Sequence, residues 1–225
     1  SAQAVVAATR ELPVVFCSVS DPLGAKLVNN LAKPGGNVTG TSDLSPIAEQ
    51  LDLIRELSPD VKKLGVIYNP GEANSVSLVA LLKTQASGKG LQVIEATAPK
   101  SGDVLSAARQ LAGKAEAIYI PLDNTVVSAL EAVIKVGRDA RTPVYSADTD
   151  SVGRGTIASL GFDYYDVGRQ TGQQVVRILR GEKPGDIPVE RVKKLNLYVN
   201  LQAAEAMGTT IPDPVRQRAI NLSKP

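Results

Sequence analysis

Short apolar runs alternate along this chain with longer stretches of helical periodicity, and Gly, Pro, Asn or Asp stands at nearly every change between them. The runs at 13–19, 37–41, 63–68, 91–96, 115–120, 143–147, 156–160 and 195–200 predict strands. The stretches at 2–10, 24–32, 46–57, 73–87, 103–112, 125–138, 164–180 and 202–207 predict helices. Several runs are apolar without a break, Pro13-Val14-Val15-Phe16 and Gly65-Val66-Ile67 among them, which is the mark of parallel strands covered on both faces. From 63 to 147 the strand–helix alternation is regular and its connections are short, which describes one complete parallel-sheet lobe. The flanks look like parts of another lobe: residues 1–43 open on a helix, and 155–181 add one strand and one helix. The expected class is therefore α/β, two doubly wound parallel-sheet lobes. The first (1–43 and 155–182) is incomplete, the second holds 44–154 and 183–225, and crossovers lie near 43, 154 and 182. Gly153-Arg154-Gly155 reads as a hinge-like connection, and the Pro-containing tail from Ile211 as a loosely packed end.

Composition narrows the chemistry. Among 225 residues, 25 Lys and Arg face 23 Asp and Glu, a net +2 with no block of one sign, so a nucleic-acid partner has no electrostatic footprint. The chain has no His and one Cys, Cys17. That removes His-based triads, HExxH and His-ligated zinc sites, an internal disulfide and thiolate clusters together. Neither a Walker motif nor a GxGxxG between strand and helix is present. No cofactor, metal or catalytic residue is expected, and a binding protein is favoured over an enzyme.

In open parallel sheets ligands bind beyond the carboxyl ends of the strands, so the residues after each run carry the functional reading. They are Ser18-Val19-Ser20-Asp21-Pro22, Asn69 to Ser75, Asp123-Asn124-Thr125, Ser146 to Asp150, and Gly161 to Tyr165. Hydroxyls, amides and carboxylates gather there without one Lys or Arg, which disfavours phosphorylated ligands. Ser, Thr, Asn and Asp are also the preferred helix N-caps; Asn74, Ser75, Asp123 to Thr125 and Asp163 fit cap positions as well as a site. Capping does not account for Asp148 together with Asp150, or for Asn69 ahead of a Pro-Gly turn. Phe16, Tyr119 and Tyr145 read as core. Tyr68 stands at a strand tip, and Phe162, Tyr164 and Tyr165 cluster, either as an aromatic wall or as simple packing.

Six stretches in order carry a resemblance across nearly the whole chain. They are Pro13 to Phe16 running into Ser20-Asp21-Pro22, Lys33-Pro34-Gly35-Gly36-Asn37-Val38-Thr39-Gly40, Gly65-Val66-Ile67-Tyr68-Asn69-Pro70, Pro121 to Thr125, Leu160 to Tyr165, and Leu179 to Pro184. The chain resembles the extracytoplasmic substrate-binding proteins of ABC importers, in the branch described as tryptophan-binding. The resemblance implies a type I periplasmic-binding-protein fold, two lobes closing on a small solute, and a membrane permease as partner in the periplasmic or extracytoplasmic space. Family members carry about one further βαβ portion before the point matching Ser1, so an incomplete first lobe is expected to expose sheet surface and favour self-association. The expected ligand is an amino acid, with aromatic ones among the candidates, held in an interlobe cleft. Acidic tips (Asp21, Asp123, Asp148) would take its ammonium, and amides at helix starts such as Asn74 or Thr125 its carboxylate. The expected ligand-binding residues are Ser18, Ser20, Asp21, Tyr68, Asn69, Asn74, Ser75, Asp123, Asn124, Thr125, Asp148, Phe162 and Tyr164. The alternatives are a ligand-sensing regulatory module of the same fold and a His-free α/β enzyme.

Overall fold

A computed structural model describes residues 2–223. Its strands are β1 (Val14–Cys17), β2 (Val38–Ser42), β3 (Lys63–Tyr68), β4 (Gln92–Thr97), β5 (Ala117–Ile120), β6 (Val144–Ser146), β7 (Ala158–Gly161), β8 (Glu190–Arg191), β9 (Asn196–Val199) and β10 (Ile220–Asn221). Its α-helices are α1 (Ala2–Ala8), α2 (Ile47–Leu57), α3 (Ala73–Gly88), α4 (Val104–Leu111), α5 (Asn124–Ser128), α6 (Leu130–Asp139), α7 (Asp150–Arg154), α8 (Tyr164–Leu179), α9 (Leu201–Ala206) and α10 (Asp213–Arg218). The chain divides into two compact units, 1–44 with 162–195, and 45–161 with 196–225.

The first unit is built on a three-stranded parallel sheet in the order β1-β2-β8. Val6, Val14, Phe16, Leu27, Val28 and Val38 form its core. Every residue of β2, Val-Thr-Gly-Thr-Ser, is buried, which its composition permits only because each hydroxyl has a partner. Thr39 Oγ1 donates to the Ile187 carbonyl at 2.8 Å, Ser42 Oγ to the Ser20 carbonyl at 3.1 Å, and the Thr41 and Thr171 hydroxyls lie 2.9 Å apart. Gly40 faces Phe16 across the pairing, and a Cβ there would sit 2.1 Å from the Phe16 carbonyl oxygen, so only glycine allows β2 to lie this close.

The second unit carries a four-stranded parallel sheet in the order β4-β3-β5-β6, the strand–helix lobe expected from 63 to 147. Leu64, Val66, Ile67, Ile118, Ile120 and Val144 are buried in it from both faces. A second small sheet, β10-β9-β7, pairs β9 antiparallel with β7 and parallel with β10.

Several expectations are corrected here. Residues 24–32 are not a helix: Ala25, Lys26 and Leu27 N–H bond back to Asp21, Leu23 and Pro22, and Lys26 at φ +55 ends the turn. The stretch 125–138 is two helices, broken at Ala129 (φ −121). Strand β7, expected with the first lobe, joins the second unit because it pairs with β9, whereas 183–195 joins the first because β8 pairs with β2. Around Gly153-Arg154-Gly155 the chain forms α7, with Gly155 at φ +123 as its C-cap, in place of a hinge-like connection. The stretch from Ile211 to Asn221 is held down and not loosely packed: Val215 of α10 is fully buried and β10 pairs with β9.

Candidate functional site

In the second unit, strand order departs from chain order at β3, which has β4 on one side and β5 on the other. Such a switch point opens a crevice at the carboxyl ends of the strands. Asn69 follows β3, and Asp123 follows β5 by three residues, so both stand at that crevice. They are already joined to each other. Asp123 Oδ2 accepts the Asn69 backbone N–H at 2.6 Å while its Oδ1 accepts Val126 N–H at 2.8 Å, capping α5. Asn69 Nδ2 donates to Thr125 Oγ1 at 2.9 Å, and Asn69 Oδ1 accepts Gly71 N–H at 2.8 Å. Asp123 thus braces one tip against the other, and at 1% exposure neither oxygen is left for water.

Glu72, which the sequence reading passed over, completes the brace. Its carboxylate accepts the backbone N–H of Asn124 (3.1 Å) and Thr125 (3.0 Å), the Asn124 amide (2.7 Å) and the Thr125 hydroxyl (2.7 Å). Burial pushes the Glu72 pKa up; the bonds from Thr125 and Asn124 outweigh it and hold the carboxyl below the usual range. A glutamate just before a helix reads as a first-turn acid, and only its position opposite a second helix start would have singled it out.

The start of α3 is different. Its sixteen residues begin after Glu72 with no side-chain cap, because the Glu72 carboxylate is turned to α5. Asn74 Nδ2 donates to the Leu122 carbonyl at 2.8 Å. The Ser75 hydroxyl, in a residue with no exposed surface, has no hydrogen-bond partner among the described residues. Unmet donors at the head of a long helix suit an anion. Tyr68 donates to Glu95 Oε2 at 3.0 Å; burial first, then that bond and the Glu95 charge, push its pKa up. Asp148 is turned inward on its own loop, its Oδ2 accepting the Ser151 hydroxyl at 2.6 Å and its Oδ1 the Asp150 N–H at 3.2 Å.

In the first unit, the tip after β1 contains Ser18, held at φ +60. Ser20 Oγ donates to Asp43 Oδ1 at 2.9 Å, and Asp21 Oδ1 accepts Gly24 N–H at 2.8 Å. Asp43 directly follows β2; the sequence placed a crossover near 43 and did not single this acid out. It is 5% exposed. Phe162, buried, and Tyr164, half-exposed, meet edge to face with ring centroids 5.5 Å apart at the start of α8. Asp163 caps that helix through Tyr165 N–H at 2.7 Å.

Among the described residues no group of three His, Cys, Asp or Glu side chains could hold a metal. No helix there is long and apolar enough to cross a membrane.

The chain is similar in sequence and fold to other proteins. A family model described as ABC transporter substrate binding protein matches residues 1–222. A protein of Clostridioides difficile named tyrosine-binding protein is 38% identical over 92% of this chain. Among solved structures, a conserved domain protein of Vibrio cholerae is 52% identical with a TM-score of 0.94 over 99% of this chain. An ABC domain from Streptococcus solved in complex with L-Trp is 37% identical with a TM-score of 0.91 over 98%. The chain spans 60% of the length of the tyrosine-binding protein and 75% of each of these solved chains. With a family model covering almost its whole length, the chain belongs to the ABC transporter substrate-binding proteins.

Proposed function

We propose that this chain binds an amino acid with an aromatic side chain and hands it to the permease of an ABC importer in the extracytoplasmic space, without chemical change to the ligand. The observation that carries this reading is the head of α3: an uncapped sixteen-residue helix beginning at the switch point, with a buried Ser75 hydroxyl that has no partner among the described residues. A ligand carboxylate is the group those donors suit, and it requires no Arg or Lys. Strand tips rich in hydroxyls, amides and carboxylates, with no cation among them, favour a zwitterion over a dianion. The relatives named for tyrosine and bound to L-Trp support an aromatic side chain. The braced Asn69–Asp123–Glu72 cluster then has a scaffolding part, holding the α3 head in place before ligand arrives.

Isothermal calorimetry on the full chain tests this with L-tyrosine, L-tryptophan, L-leucine, glutarate and glucose 6-phosphate. The expected order puts an aromatic amino acid tightest. Saturation at a hundredfold excess over Kd is expected to add about 2.7 kcal/mol of stability by mass action. A dianion bound tightest overturns the reading.

A further inference from the structure

Helix α8 lies across the first unit's sheet with its two flanks in different settings. Val167, Thr171 and Gln174 are buried against the strands. One flank turns to the 182–194 stretch that holds β8: Gln170 donates to Glu190 Oε2 at 2.7 Å, Arg177 to Glu182 Oε2 at 2.7 Å, and Lys194 Nζ reaches Asp166 Oδ2 at 3.5 Å. The other flank, on the β1 side, is uncharged. Tyr165, Gly168, Gly172, Val176 and Leu179 recur there at helical spacing and all are exposed, Tyr165 at 69% and Leu179 at 81%. Strand β1 is the edge of the sheet, paired with β2 on one side and with no strand on the other among the described residues. Leu12, just before it, is 68% exposed. An apolar helix flank beside a bare strand edge is a surface that proteins ordinarily cover.

The glycines say how close the cover comes. A Cβ added at Gly168 or Gly172 would meet nothing within 4 Å, and neither has a left-handed φ, so nothing within the chain asks for glycine at these helix-interior positions. Each costs about 1 kcal/mol relative to alanine, a cost offset where a second helix packs against the bare backbone. The flank is complementary to itself. Two copies of α8 running antiparallel about Gly172 set Tyr165 of each against Leu179 of the other, and Val176 of each into the notch at Gly168. The same pairing brings Arg180, at the end of each helix, to the acidic start of the other at Asp163 and Asp166. Thr171 Oγ1 lies 3.4 Å from Cys17 Sγ, so the middle of α8 and the end of β1 share one level. One twofold axis perpendicular to the sheet then pairs both the helices and the β1 edges antiparallel. Helix flank, strand edge and Leu12 come to roughly 800 Å² on each copy, what one side of a standard interface buries.

We propose that two copies of this chain pair through the α8 flank and the β1 edge of the first unit, about a twofold axis beside Gly172. Among the partners such a face could take, a second copy is the one whose shape and charge the flank itself matches.

Sedimentation velocity on the full chain from about 1 to 100 μM tests this. The wild type should pass from monomer to dimer within that range. Val176→Glu and Leu179→Glu, each replacing an exposed side chain, should weaken the dimer by about tenfold or more and leave the Tm of the dilute monomer unchanged. Gly172→Ala is the sharper variant. Alanine in a helix interior should raise the monomer Tm, while its methyl group holds the two helices apart and weakens the dimer by about tenfold. A chain that stays monomeric overturns the inference and leaves the flank to a further stretch of polypeptide. Association that the two Glu variants leave intact, or that runs on into open aggregates, lies elsewhere and overturns it too. A dimer weakened by the Glu variants and untouched by Gly172→Ala overturns the axis beside Gly172.

Discussion

The strand tips of the two units carry similar residues, and their two most buried acids, Asp123 and Asp43, are used in opposite ways. In the second unit, acids are structural: Asp123 and Glu72 between them take the Asn69 N–H and the first three N–H groups of α5, residues 124 to 126, so two loops and a helix start become one rigid piece. In the first unit, Asp43 takes the Ser20 hydroxyl and leaves the loops to hold themselves by backbone bonds such as Ser18 N–H to the Thr41 carbonyl. The difference shows that residue type and position at a strand tip do not reveal how far an acid braces the fold. What does is how many donors each carboxylate has already gathered.

The largest effect that could break this comparison is in the second unit. Asp123→Ala removes the α5 cap and leaves the Asn69 N–H without its acceptor in a nearly dry place. A lost cap costs about 1 kcal/mol and an orphaned buried donor about 1–3 kcal/mol. The expected loss of about 2–4 kcal/mol lowers Tm by roughly 4–16 °C for a chain of this size, read by differential scanning calorimetry. A Tm within a degree of wild type would show that Asp123 braces nothing.

How much of this was legible in the sequence follows from how far each signal reaches. The strand at 63–68 was placed to the residue because an apolar run between a charged start and a Pro-Gly turn has no other use. The two-residue strands β8 and β10 were missed, since a pairing of two residues leaves no periodic trace. The stretch 24–32 misled because Leu27, Val28 and Leu31 sit at helical spacing while Asp21 and Pro22 were already forming a turn that Lys26 closes. Within the site, Asn69, Asn74, Ser75, Asp123, Asn124 and Thr125 were all anticipated and do come together at the switch point. Asp43 and Glu72 were not, although both follow strand ends. Glu72 immediately precedes a helix, where an acid is expected for the helix dipole alone, and Asp43 stands in the short connection from β2 to α2; only the three-dimensional donor count singles them out.

A smaller effect sharpens the contrast through pH. Glu72→Gln keeps an acceptor for Asn124 and Thr125 but loses the charge, and is expected to cost about 1 kcal/mol at pH 7. Because the folded-state pKa of Glu72 lies below the ordinary 4.5, its contribution is fully present above that value and is lost as pH falls through the folded pKa. Urea unfolding at pH 7 and pH 3.5 should therefore show the gap between wild type and variant shrinking in acid. A gap that grows would remove Glu72 from the brace.

The smallest expected effect is the most discriminating, because its sign is reversed. Asp43 has its folded-state pKa raised above the ordinary 3.8, with burial the largest cause. Its stabilising contribution is therefore present below the unfolded value and lost as pH rises through the folded pKa. The native carboxylate is buried and thinly bonded, so Asp43→Asn, whose amide oxygen still accepts from Ser20, should leave Tm at pH 7 unchanged or raise it by a degree or two. As pH falls towards the Asp43 pKa the wild type should gain on the variant, the opposite of the trend at Glu72. The same urea series reads both. A variant clearly less stable than wild type at pH 7 would place Asp43 among the braces, and the contrast between the two units would fail at the residue that defines it.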